Sequence, residues 1–207
     1  MNAHDRLRQA TAVILRNEEV KGTAWLFSCN RLLTAGHVIA RAGAKIGDSL
    51  YICFASHIDN KKEYKQMAKV VDLLYSDKER IDFAVLELHD DVAHVPLDIS
   101  YGAVVGQCDY MCYAYNKNKG EVEYMSECKS NGVVSFDGMD MIQLHSSSLT
   151  YGSSGAAIVD ASTGKAVGLV VAGARDDPTV SYALLLDRIK EHLPIAETKK
   201  GCTNAAL

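Results

Sequence analysis

The sequence predicts an all-β protein, and three observations support that prediction. Short apolar or alternating runs recur along all but the ends of the 207 residues. Turn residues separate these runs at short intervals, and helical periodicity is clear only near the C-terminus. Many short strands at close spacing are typical of an all-β sandwich or barrel and not of alternating βαβ units.

The predicted strands follow one another along the chain with one polar interruption. A polar segment at residues 89–102, which contains Pro96, divides them into two groups of similar number. In chain order the runs are TAVIL, GTAWLF, RLLTAG, SLYICFA, MAKVVDLLY and FAVLEL, then DYMCYAY, GVVSF, DMIQLH, AAIVD, AVGLVVAG and VSYALLL. The segment at 89–102 is therefore a plausible boundary between two halves of the fold.

Helical signals are confined to the two ends of the chain. The first residues, AHDRLRQA, indicate a short helical turn. Near the other end, apolar residues recur every three to four positions and predict a short helix over about 185–193, which Pro194 would end. The polar, unpatterned tail at 195–207 is expected to be disordered.

Composition and charge argue against several classes of function. The net charge of −4 and the pI near 6.0 predict no nucleic-acid partner. No apolar span approaches 18 residues, so we expect no membrane partner, and the first residues lack the features of a signal peptide. We therefore predict a cytoplasmic protein with six reduced cysteines. Cys108 and Cys112 lack the spacing of a zinc motif, and we expect no metal site and no cofactor.

One histidine and one aspartate stand in unusual surroundings. His37 follows a strand and a run of small residues, which leaves space around the imidazole. Asp82 opens a strongly apolar strand, where a carboxylate is costly to bury unless it is paired. The plain interpretations are a satisfied histidine at a strand end and a water-facing aspartate that caps a turn. The functional interpretation is a carboxylate that accepts the Nδ1–H of a catalytic histidine.

The stretch TYGSSGAAIVD raises the question of a nucleophile. Ser153 and Ser154 lie between two glycines ahead of an apolar strand, which is either a loose turn or a nucleophile turn. A serine hydroxyl is a poor nucleophile until a base removes its proton. Glycines let backbone N–H groups converge, as an oxyanion hole requires. The G-x-S-x-G elbow of α/β-hydrolases does not match, because here a strand and not a helix follows.

The three segments together resemble the trypsin/chymotrypsin-like serine peptidases. LTAGHV, IDFAVLEL and YGSSGAA are similar, in this order, to the T-A-x-H, D-x-A-x-L and G-x-S-G segments of that family. GTAWLF resembles the G-S-G-F strand of its intracellular bacterial, HtrA-type members, although we expect no PDZ domain to follow. The resemblance covers roughly residues 10–193. It implies a single domain over 1–207 with two six-stranded antiparallel β-barrels, one at about 10–92 and one at about 99–186, and a short C-terminal helix.

The resemblance also implies roles for particular residues. His37, Asp82 and Ser154 would form the catalytic triad, and the N–H groups of Gly152 and Ser154 would form the oxyanion hole. The substrate pocket would be lined by Ser148, Val171, Ala172, Gly173 and Val180. Because Ser148 at the pocket base is neutral, we expect cleavage after small or medium apolar residues.

Two departures from the family pattern concern the nucleophile turn. Digestive trypsins have Asp where this chain has Ser153, so we predict that activity needs no N-terminal processing. Ala156 and Ala157 replace the usual Gly and Pro.

We expect a serine endopeptidase that acts on a protein or peptide substrate, with narrow specificity or control by a regulatory protein partner. The alternatives are a catalytically latent protease-fold binding module and an esterase that uses the same triad on another fold.

Overall fold

The computed structural model describes residues 2–60, 64–76, 81–90, 92–102, 108–136, 138–174 and 176–193. Its strands form two closed six-stranded antiparallel barrels, which confirms the predicted fold class. The first barrel has the order β1-β2-β3-β6-β5-β4 and comprises β1 (Thr11–Arg16), β2 (Glu19–Ser28), β3 (Arg31–Thr34), β4 (Ser49–Phe54), β5 (Gln66–Tyr75) and β6 (Asp82–Leu88). The second has the order β10-β11-β12-β9-β8-β7 and comprises β7 (Asp109–Asn116), β8 (Glu121–Phe136), β9 (Met139–His145), β10 (Ala157–Asp160), β11 (Ala166–Gly173) and β12 (Val180–Leu185).

The hydrophobic core explains why these runs become strands. Each predicted run overlaps a different strand, and the fully buried side chains of the first barrel include Trp25, Phe54 and Phe83. The largest core cluster continues into the second barrel through residues such as Leu169 on β11. Because apolar surface removed from water contributes about 25 cal/mol per Å², this shared core holds the two barrels together and fixes the cleft between them.

Helical structure is sparse. Helix α1 (Ala3–Ala10) forms where the sequence indicates a helical turn, with the side chain of Asn2 accepting the N–H of Asp5 at its start. Helix α2 (Gly36–Arg41) follows β3 and lies outside the two ends of the chain where the sequence predicts helical structure. A 3₁₀ helix spans Ala55–Asn60. In the described part of the chain, no helix is long and apolar enough to cross a bilayer.

The C-terminal segment differs from the prediction of a helix over 185–193. Only a 3₁₀ turn forms, at Leu186–Arg188, and further turns continue to residue 193. The apolar spacing has a real basis, since Leu186, Ile189 and Leu193 are buried. A segment this short gains little from helix propagation, and successive turns bury the same side chains against the barrels. The tail at 195–207 lies outside the described residues.

The cysteines depart in part from the prediction of six reduced thiols. Cys53, Cys108, Cys112 and Cys128 are reduced thiols, but Cys29 is in a disulfide bond. Burial raises the pKa of Cys128 to about 11 and that of Cys112 well above its usual value, so both remain protonated thiols near neutral pH. Within the described ranges, no three His, Cys, Asp or Glu side chains converge as metal ligands.

Candidate active site

Helix α2 carries His37 to the start of strand β6. The preceding residue, Gly36, packs so closely on β5 and β6 that an added Cβ would lie 2.7 Å from the carbonyl oxygen of Leu74 and 2.9 Å from that of Phe83. Since Asp82 is the first residue of β6, this packing brings the two side chains together across 45 residues of sequence.

Asp82 holds His37 through both of its carboxylate oxygens. His37 Nδ1 lies 2.6 Å from Asp82 Oδ2, and the backbone N–H of His37 donates to Oδ1 at 2.8 Å. The two side chains are only 6 % and 17 % exposed. A carboxylate acceptor at Nδ1 keeps the proton there and leaves the lone pair of Nε2 free to accept one. Asp82 is therefore paired with the imidazole and does not cap a water-facing turn.

The turn that bears Ser154 packs against strand β2 and the end of β3, just ahead of the helix that bears His37. Gly155 has φ +90°, and an added Cβ would lie 2.0 Å from the carbonyl oxygen of Thr23 and 3.1 Å from the backbone nitrogen of Ala35. Gly152 has φ +101° and packs on Tyr115. Both positions require glycine, because side chains rarely adopt this backbone region and no space exists for one.

The two adjacent serines have different environments. Ser153 is 1 % exposed, and its hydroxyl accepts the N–H of Thr150 at 3.2 Å. Ser154 is partly exposed. No hydrogen bond joins Ser154 Oγ to the His37 ring in the described part of the chain, and such bonds are often long before a substrate binds. Exposure and packing favour Ser154 as the residue that a substrate would meet.

Two backbone donors of this turn remain available. Within the described residues, the N–H groups of Gly152 and Ser154 have no hydrogen-bond acceptor, whereas Ser153 and Gly155 donate to Thr150 and Val170. An unpaired N–H group of a nucleophile and another two residues before it can together bind an oxyanion that develops there.

The predicted pocket residues come from three neighbouring segments. Strand β11, with Val171, Ala172 and Gly173, adjoins the nucleophile turn because Gly155 N–H donates to the carbonyl of Val170 at 2.7 Å. Val180 begins the next strand, β12, which pairs with β11.

The segment with Ser148 lies beside Val180. The N–H of Ser146 donates to the carbonyl of Thr179 at 2.8 Å and holds that segment in place. Val171 and Val180 are buried, Ser148 and Ala172 are partly buried, and Gly173 is exposed.

Sequence reasoning missed three residues beside the site. The ring of Tyr75, which is 50 % exposed, lies 6.2 Å from that of His37. Thr23 and Thr34 are fully buried, and their hydroxyls donate to the carbonyls of Gly152 and Thr23. A signal existed for the threonines, because a hydroxyl in a strongly apolar strand must find a partner. The sequence does not show which carbonyl groups accept these hydrogen bonds.

The comparisons with known proteins support the two-barrel fold. Among solved structures, the active form of the Rv3671c protease from M. tuberculosis has a TM-score of 0.72 at 17 % identity, over 92 % of this chain and 82 % of that one. The HtrA-type protease AlgW, solved with a decapeptide, has a TM-score of 0.69 at 17 % identity, over 93 % of this chain and 65 % of that one. The serine endoprotease from Yersinia pestis has a TM-score of 0.65 at 14 % identity, over 92 % of this chain and 64 % of that one.

At these identities the solved structures establish the fold alone. A search of curated protein sequences finds no significant match. The family model described as the trypsin-like peptidase domain matches residues 22–169, more than two thirds of the chain, and that segment includes His37, Asp82 and Ser154. The chain therefore belongs to the trypsin-like peptidase domain family.

Proposed function

We propose that the protein is a serine endopeptidase with His37, Asp82 and Ser154 as its catalytic triad. The observation that supports this best is the engagement of both Asp82 oxygens by His37, next to a turn that leaves Ser154 accessible. A histidine–aspartate contact with no catalytic role would not need a second hydrogen bond. Here the backbone N–H of His37 also donates to Asp82 Oδ1, which restrains the position of the carboxylate relative to the ring.

The chemistry follows from these positions. His37 Nε2 removes the proton of Ser154 Oγ as Oγ attacks the carbonyl carbon of the scissile peptide bond. The N–H groups of Gly152 and Ser154 bind the resulting oxyanion, and each such donor contributes about 3 kcal/mol to transition-state stabilisation. The C–N bond then breaks as His37 protonates the leaving amine. Water, deprotonated by His37, hydrolyses the acyl-enzyme and restores Ser154.

Substrate preference is a separate part of the proposal. Ser148, Val171, Ala172, Gly173 and Val180 would line the pocket for the side chain that precedes the cleaved bond. None of them carries a charge, so small or medium apolar side chains should fit better than basic ones. Cleavage profiling with a peptide library checks this, and preferred cleavage after Arg or Lys would contradict it. The AlgW protease was solved with a decapeptide, and a protein or peptide is the substrate class that we propose here.

A fluorophosphonate probe tests the catalytic proposal directly. We expect the wild type to be labelled and Ser154→Ala not to be, because the probe phosphonylates only an activated serine. Ser153→Ala is the matched control and should retain labelling, since its hydroxyl is buried against Thr150. Labelling that is lost in Ser153→Ala and kept in Ser154→Ala would overturn the assignment. A folded wild type that resists the probe would favour the latent binding module.

The cytoplasmic location and control by a regulatory protein partner stay predictions from the sequence.

A further inference from the structure

Four consecutive carbonyl groups of the nucleophile turn, from Tyr151 to Ser154, each accept a hydrogen bond. The carbonyl of Tyr151 accepts the N–H of Lys117 at 2.9 Å, and that of Ser153 accepts the N–H of Ala156 at 3.0 Å. The other two carbonyls accept hydrogen bonds from Thr23. Its hydroxyl donates to the carbonyl of Gly152 at 2.8 Å, and its N–H donates to the carbonyl of Ser154 at 2.9 Å.

These bonds determine where the free N–H groups of the turn point. A trans peptide unit is planar, so its N–H is directed opposite to the preceding C=O. Fixing the carbonyls of Tyr151 and Ser153 therefore fixes the N–H groups of Gly152 and Ser154, the two donors without an acceptor within the described residues. The peptide unit between them, which begins with the carbonyl of Gly152, is restrained by the hydroxyl of Thr23.

Thr23 restrains this unit from the opposite barrel. The residue lies on β2, is fully buried, and belongs to the first barrel, whereas the turn belongs to the second. Its hydroxyl also accepts the N–H of Tyr115 on β7 at 3.0 Å, and its carbonyl accepts the hydroxyl of Thr34 at 2.7 Å. With its one proton donated and a lone pair occupied, the Thr23 hydroxyl has little freedom to rotate.

We infer that the Thr23 hydroxyl is a positioning group: by holding the peptide unit that links Gly152 to Ser153, it helps to keep the Gly152 and Ser154 donors in their oxyanion-binding orientation before substrate arrives. The inference rests on the proposed function for its catalytic meaning, but the restraint itself is a property of the folded chain. It also supplies a physical reason for activity without N-terminal processing. Groups internal to the two barrels order the turn, so no newly formed terminus is needed to do so.

Hydrogen–deuterium exchange tests the restraint independently of catalysis. Thr23→Val keeps the shape of the side chain and removes the hydroxyl, which leaves the Gly152 carbonyl without its donor. We expect the protected amides of the turn, those of Ser153, Gly155 and Ala156, to exchange roughly tenfold faster than in the wild type. Thr23→Ser should restore protection. Thr11→Val is the matched control, because it removes a buried hydroxyl that donates to the carbonyl of Leu7, away from the turn.

The kinetic readout separates positioning from a general loss of stability. Thr23→Val should lower kcat by about 10²-fold, the size of effect typical of a small misplacement of catalytic groups, with KM changed much less. Thr23→Ser should recover most of the rate. Thr11→Val should have wild-type kcat even if its melting temperature falls by as much as that of Thr23→Val.

Unchanged exchange in the turn of a folded Thr23→Val protein would overturn the inference. A further outcome is that Thr23→Val exchanges faster in the turn while the fluorophosphonate probe never labels the wild type at Ser154. That result would support the restraint and count against the proposed peptidase activity.

Discussion

Two histidine–aspartate pairs lie against neighbouring strands of the first barrel, and only one has the surroundings of a catalytic pair. His37 Nδ1 lies 2.6 Å from Asp82 at the start of β6, with side chains 6 % and 17 % exposed. His192 Nδ1 lies 3.2 Å from Asp72 on β5, with side chains 28 % and 33 % exposed. The first pair joins adjacent elements of one barrel, whereas the second ties the C-terminal turns to that barrel.

The difference shows that a histidine–aspartate contact alone does not mark a site. Asp82 accepts a second hydrogen bond from the backbone of His37, and the turn that bears the partly exposed Ser154 packs on the backbone of Ala35, two residues before His37. The ring of His192 packs instead on Phe83, at 4.9 Å between ring centroids. A catalytic pair must be oriented towards a nucleophile, while a structural pair needs only to close a surface.

Replacing each histidine by alanine should separate the two pairs most strongly. We expect His37→Ala to lower kcat by about 10⁶-fold, as loss of the general base does in other triads. His192→Ala should leave kcat unchanged and reduce the free energy of unfolding by no more than about 1 kcal/mol, because its contact with Asp72 is partly exposed. Hydrolysis of a fluorogenic peptide and urea unfolding provide the two measurements. A comparable loss of kcat in both variants would show that the second pair belongs to the active site.

The two aspartates give a smaller contrast. Asp82→Asn should lower kcat by about 10⁴-fold, since an amide at this place favours the wrong tautomer of His37. Asp72→Asn, measured alongside it, should retain wild-type kcat. If Asp82→Asn lost less than tenfold, the backbone alone would be sufficient to orient the ring, and the proposed role of the carboxylate would be wrong.

Most of the fold could be predicted because strand formation leaves a local signal. Alternating and apolar runs bounded by turns each became a strand, since every strand had one face or both to bury in a barrel. The prediction of a C-terminal helix was wrong because Leu186, Ile189 and Leu193 reach the core through successive turns. Such turns bury residues three to four positions apart, as a helix does. Helix α2 was missed because its six residues are too few to show periodicity.

The candidate site was only partly predictable. Motif order pointed to His37, Asp82 and Ser154, but the contacts that hold the nucleophile turn join residues far apart in sequence. The bond from Thr23 to the carbonyl of Gly152 spans 129 residues, and no local pattern encodes it. His94 shows the same limit. It lies in the polar segment at 89–102, and a histidine in a polar segment is by default solvated, yet its ring stacks on that of Phe54 at 3.9 Å between ring centroids.

A third comparison sets His94 against His37 and carries the smallest expected effect. The ring of His94 packs on an aromatic ring, whereas that of His37 contacts a carboxylate. Burial and, less strongly, the charge of His57 lower the pKa of His94 from 6.5 to about 4. Between those two pH values the unfolded chain binds a proton that the folded chain does not. The free energy of unfolding should therefore be fully retained above pH 6.5 and fall as the pH drops towards 4. After allowance for solvent screening, we expect the loss to be roughly 1–2 kcal/mol.

Urea unfolding of His94→Phe across this pH range tests the argument. Phenylalanine keeps a ring against Phe54 and cannot bind a proton, so the free energy of unfolding should depend less on pH than in the wild type. His89→Phe is the control, because His89 is exposed and should leave the wild-type dependence intact. Equal slopes for wild type and His94→Phe would mean that the stacked ring titrates as it does in water. In that case burial of the His94 ring beside Phe54 would impose no cost on its protonation.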